Sequence, residues 1–190
     1  AYEIVDSLVG SEMCIRDRYT GSGGFEIYCK NEQAIKIWNK VFEAGIEYNI
    51  KPIGLAARDT LRLEMGYCLY GNDINETTSP IEAGLGWITK FTKEFTNSHY
   101  LKKEKENGPE KKLVAFETIE RGIPRKDYEI YSKENTKIGI VTSGTMSPSY
   151  NKGIGLGYVS SDYSLKDEFI FVKIRDKYIK SKIVKLPFKA

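Results

Sequence analysis

From residue 113 onward the chain never sustains a helical period. It runs instead as short stretches rich in β-branched and aromatic residues: LVAFETI, DYEIYS, KIGIVTSG, GIGLGYV, EFIFVKI and YIKSKIVKL. Turn signals separate them, SPSYNKG and RDK among them. Runs this short, evenly punctuated, predict a small antiparallel barrel or sandwich, because each strand must bury one face against its neighbours across the module. The glycines of VTSG and GIGLGYV lack the strand–loop–helix setting and the lysine of a phosphate-binding loop, and are expected to serve turns and close packing.

The part before residue 96 has a different texture. NEQAIKIWNKVFEAGIE places Ala34, Ile37, Trp38, Val41 and Phe42 on one stripe, which predicts a core-facing helix capped by Asn31 and ended near Gly45. GLAARDTLRLEMGYCLYGND predicts a second helix from about Leu55 to Gly66, with Leu55, Leu61 and Met65 on its inner side. SPIEAGL predicts a short third helix, since Ser79 and Glu82 have capping-box spacing and Pro80 suits the first helical position. GWITKF predicts a returning strand, and YTGSGGFEIYCK a glycine turn feeding a strand. Residues 96–112, rich in mixed charge, read as a solvated linker. The fold class is therefore α+β: a partial α/β segment followed by a β-barrel-like module.

Composition narrows function by exclusion. Net charge is +3 over 190 residues, too balanced to argue for nucleic acid. No apolar run reaches membrane-spanning length, and the start lacks a secretory pattern. Three cysteines without CxxC spacing suggest neither a disulfide framework nor a zinc site, and fit a reducing compartment. The single histidine, His99, sits in a polar stretch without a nucleophile motif.

One segment does not behave as protein sequence. Back-translation of Leu8–Asp17 reproduces, codon for codon, the tail of a common transposon-based sequencing-library adapter, and Ser7 and Arg18 fit its flanks. Residues 7–18 are expected to be adapter read into the gene. Residues 1–18 are accordingly set aside as a leader unrelated to the fold.

From Tyr19 the ordered set YTGSGGFEI, GLAARDTLRLEMGYCLYGNDI, SPIEAGLGW, TKIGIVTSGTMSPS, GIGLGYV and KLPF resembles the aminomethyltransferase (T-protein) family of the glycine cleavage system. The resemblance implies residues 19–95 as the C-terminal part of the folate-binding region, 96–112 as linker and 113–190 as the C-terminal barrel. It implies transfer of an aminomethyl carbon from lipoylated H-protein to tetrahydrofolate, giving 5,10-methylenetetrahydrofolate and ammonia. Tetrahydrofolate would be co-substrate, with no metal, no nucleic acid and no membrane involved. The location would be cytoplasmic in a bacterium and the mitochondrial matrix in a eukaryote.

Tyr19, Glu26 and Arg58 match the family's folate-binding positions. A carboxylate can accept two parallel N–H donors of a pterin edge, an arginine offers a planar fork, and a tyrosine an apolar face with a polar tip. The family's catalytic aspartate belongs to an N-terminal half that this sequence lacks, so the chain reads as a fragment inactive by itself. Ser22 and Gly23 replace two common acids, and no counterpart of a further C-terminal folate contact follows LPFKA. The folate-binding domain of a sarcosine- or dimethylglycine-oxidising enzyme, an iron–sulfur assembly relative and a non-catalytic folate-binding module remain alternatives.

Overall fold

The computed structural model describes residues 19–188 and, for the strand Met13–Asp17, the backbone alone. Most of the adapter-like segment therefore lies outside the described residues. The chain divides into two compact units, 1–61 and 62–190.

In the first unit, β1 (Met13–Asp17) pairs antiparallel with β2 (Gly24–Tyr28). Between them Gly21 takes φ +81°, a left-handed conformation that a side chain would strain. Helix α1 covers Asn31–Ala44, within the predicted span. Its N-cap is Lys30 in extended conformation, with no side-chain cap bond; Asn31 is already helical, so the expected Asn31 cap does not form. The helix ends at Gly45, where an added Cβ would stand 2.5 Å from Ile50 Cγ2. A short 3-10 turn, Ile46–Tyr48, follows.

The expected core stripe of α1 is not core. None of the helix residues is buried, and Trp38 remains 57% exposed. Trp38 and Phe42 meet each other at 4.8 Å between ring centroids, but one helix and a two-stranded sheet offer too little surface to cover them.

Helix α2 (Leu55–Glu64) begins where predicted, and its last turn belongs to the second unit. Its buried side differs from the expected one. Leu55 and Leu61 are exposed, whereas Arg62, Leu63 and Glu64 are buried. Hydrophobic spacing could not find an inner face made of two charged residues and one leucine. Gly66, at φ +75°, closes the turn after the helix.

Residues 67–97 are turns, not the predicted short helix and strand. The capping box at Ser79 does form. The Ser79 N–H donates to Glu82 Oε1 at 3.1 Å, and the Glu82 N–H donates to Ser79 Oγ at 3.4 Å. It caps a single turn, because Gly84 at φ +74° leaves the helical region. The stretch expected as linker carries helix α3 (Ser98–Asn107), whose Leu101 is buried.

The barrel is closed and antiparallel, in the order β3-β6-β5-β4-β7-β8 with β8 returning to β3. Its strands are β3 (Lys111–Thr118), β4 (Glu129–Tyr131), β5 (Lys137–Ser147), β6 (Lys152–Ser160), β7 (Phe169–Ile174) and β8 (Lys177–Val184). Phe116, Ile130, Val141, Val159, Ile170 and Val172 are fully buried in the core. A second cluster joins Leu63 of α2 to Ala115, Ile154 and Leu156 on the other face of β3 and β6. The β5–β6 register shifts between Val141 and Ser143, a bulge that adds Thr142 to the strand.

Candidate functional site

The three residues singled out in the sequence come together in the first unit. Glu26 stands mid-strand on β2, and Arg58 on the first turn of α2 reaches it. Arg58 Nη2 donates to Glu26 Oε1 at 3.1 Å. The Arg58 guanidinium carbon lies 4.5 Å from the centroid of the Tyr19 ring, a cation–π distance. This partner, Glu26, is a strand glutamate 32 positions away in sequence.

Both charged side chains are open to solvent, Arg58 41% and Glu26 37% exposed. An ion pair so exposed contributes little to stability. A carboxylate has about four acceptor sites, so Glu26 keeps acceptor capacity beside the bond from Arg58. The arrangement offers a flat aromatic face, a planar cation and a carboxylate in one solvent-accessible cluster. It suits a planar heterocycle carrying N–H donors along one edge.

Sequence reasoning missed a fourth member. Tyr28 lies two residues after Glu26 on the same face of β2, and its hydroxyl donates to Glu26 Oε2 at 2.8 Å. The i, i+2 strand spacing was the available signal.

The second unit holds a separate buried polar network. Arg62 Nη1 donates to Asp73 Oδ2 at 2.6 Å and to the Tyr67 carbonyl at 2.9 Å, and Arg62 Nη2 donates to Ser143 Oγ at 2.9 Å. The bulge residue Thr142 donates to Asp73 Oδ1 at 2.5 Å, the Leu69 N–H donates to Asp73 Oδ2 at 2.9 Å, and the Tyr158 hydroxyl donates to the Asp73 carbonyl at 2.9 Å. Glu64 accepts from Ser147 and Ser149 at 2.5 and 2.9 Å. These bonds satisfy the buried charges and fix the segment after α2 to the barrel.

Burial, reinforced by Asp73 and opposed by Arg62, pushes the Cys68 thiol up to about 11. Burial first, then Glu82, also raises the Tyr158 phenol. A thiol held protonated is a poor nucleophile, so Cys68 does not suit covalent chemistry. His99 is exposed on α3. Among the described residues no group of three or more His, Cys, Asp or Glu could hold a metal ion, and no helix is long and apolar enough to cross a membrane.

Comparison with known proteins covers nearly the whole chain. Residues 8–93 match the GCVT N-terminal domain, a match that begins inside the adapter-like segment, and residues 111–189 match the glycine cleavage T-protein C-terminal barrel domain. An aminomethyltransferase of Flavobacterium psychrophilum is 70% identical over 170 residues, covering 90% of this chain and 47% of the relative. One from Bacteroides fragilis is 60% identical over 173 residues, covering 90% and 48%. The crystal structure of the glycine cleavage system aminomethyltransferase T from Bartonella henselae superposes with a TM-score of 0.85 at 32% identity, over 93% of this chain and 49% of that one. The chain thus spans about half the length of the relatives it matches. With both T-protein domain families matched in succession and that fold shared across 93% of its length, it belongs to the glycine cleavage T-protein family.

Proposed function

We propose that this chain is the carboxy-terminal part of a tetrahydrofolate-dependent aminomethyltransferase and contributes one wall of its folate site. The carrying observation is the convergence of Tyr19, Glu26 and Arg58 from a turn, a strand and a helix. Residues 19–95 would form the folate-binding part and 113–190 the closing barrel, with 96–112 between them and 1–18 as leader. Glu26 accepts the paired N–H groups of the pterin edge, a charge-assisted contact. The Arg58 guanidinium and the Tyr19 ring give the heterocycle a flat, partly apolar seat.

Tetrahydrofolate supplies the nitrogen that takes up the one-carbon unit. The chain's own residues bind and orient it, so their contribution to catalysis is positioning. Lipoylated H-protein is the aminomethyl donor in this reading, and the bacterial relatives suggest a cytoplasmic setting. Neither a metal nor nucleic acid takes part.

Titration of the chain with 5-formyltetrahydrofolate, an air-stable folate with the same pterin edge, tests the site by one-dimensional NMR. Glu26→Ala and Arg58→Ala should each weaken binding about tenfold or more, the scale of a lost charge-assisted hydrogen bond. Unchanged binding in both variants would remove the site assignment. For the reaction, the full-length protein should release ammonia from aminomethylated H-protein with tetrahydrofolate, and this chain by itself should not.

A further inference from the structure

Three of the four residues in the first unit's polar cluster have a proposed ligand role; Tyr28 has none. Its geometry is specific. Glu26 is held at both carboxylate oxygens, Oε1 by Arg58 and Oε2 by the Tyr28 hydroxyl. Two bonds to different oxygens fix the plane of the carboxylate as well as its position. The outermost side-chain torsion of a glutamate is otherwise broad and about twofold. Each oxygen keeps acceptor capacity, because a carboxylate has about four acceptor sites. A carboxylate clamped in this way presents its remaining lone pairs in a set direction, as a parallel pair of N–H donors requires.

We propose that Tyr28 is a positioning residue for folate recognition. Its hydroxyl orients the Glu26 carboxylate toward the pterin edge without itself touching the ligand. The inference rests on the folate reading of the Tyr19–Glu26–Arg58 cluster and extends it. It follows from strand geometry: residues i and i+2 share a face of β2, so the tyrosine is carried beside the glutamate wherever that strand goes.

The test is a double-mutant cycle on the full chain, with 5-formyltetrahydrofolate as the probe and thermal unfolding followed in parallel. Tyr28→Phe removes only the hydroxyl. It should weaken binding about fivefold, as for a lost hydrogen bond of ordinary strength, and leave the unfolding transition unchanged. In the Glu26→Gln background the same substitution should cost nothing further, because the group through which Tyr28 acts has already been altered. An equal loss in both backgrounds, or no loss in either, would overturn the positioning role while leaving the folate site standing, provided that Glu26→Gln alone weakens binding. If Glu26→Gln and Arg58→Ala both bind like the unaltered chain, or the unaltered chain does not bind, the folate reading fails and the Tyr28 role fails with it.

Discussion

Arg62 and Asp73 are both almost fully buried, and each has its charge answered by the other and by neighbouring hydroxyl and backbone groups. Such a pair is not in itself a large source of stability, but breaking it is costly because the surviving charge stays buried. Arg62→Ala should lower unfolding free energy by about 3–5 kcal/mol, read from urea denaturation of the chain; a loss under 1 kcal/mol would mean that Asp73 finds water. Cys68 gives a second residue-scale expectation. Its folded value of about 11 lies above the ordinary 9.0, so burial favours the thiol. That contribution to stability is complete below the unfolded value and is lost as pH rises from about 9 to about 11. Cys68 should accordingly resist iodoacetamide at pH 8 in the native state and react increasingly as pH approaches 11. Mass spectrometry of the alkylated chain would show this, and rapid labelling at pH 8 would contradict it.

At the scale of elements, the strands of the barrel approach one another so closely that some positions admit no side chain. A Cβ on Gly155 of β6 would lie 2.5 Å from Phe116 Cζ and 3.0 Å from the Ser143 carbonyl oxygen. Gly155→Ala should destabilise the chain by about 1–3 kcal/mol, measured as a shift in the denaturation midpoint with unchanged slope; an unaltered midpoint would show that the Phe116 ring gives way freely. The expectation of close packing in GIGLGYV came from the residues themselves. What the sequence hid at this scale was propagation. The Ser79–Glu82 box was readable and forms, but the positive φ of Gly84 stops the helix after one turn. The charged run after residue 96 likewise conceals α3, because a helix that buries one leucine among lysines and glutamates has almost no apolar stripe to display.

Across the whole molecule the two units differ in how much they bury. The barrel closes on itself, so each of its strands has a neighbour on both sides, with a fully buried core. In the first unit α1 buries none of its residues. Hydrogen exchange followed by mass spectrometry should therefore find the amides of α1 exchanging much faster than those of β5 and β6, since local opening there exposes little additional apolar surface. Equal protection in the two regions would show that α1 is covered in solution. The first unit also presents a groove of about 460 Å³ lined by Phe25, Ile27, Trp38, Val41, Phe42 and Ile53, consistent with low protection on that face.

Legible from the residues alone were the α+β class, the strand-rich second part, the positions of α1 and α2, and the glycines that strands pack against. These follow from local periodicity and backbone freedom, which each segment carries wherever it is placed. The fold decided the closed strand order, the burial of Arg62 and Glu64 where Leu55 and Leu61 stay exposed, and the partner of Arg58. A side chain's charge and reach are local, but what neutralises it depends on which distant segment the fold brings within 3.1 Å. Motif order could name Tyr19, Glu26 and Arg58; only the meeting of β2 and α2 shows that they form one cluster, and that Tyr28 belongs to it.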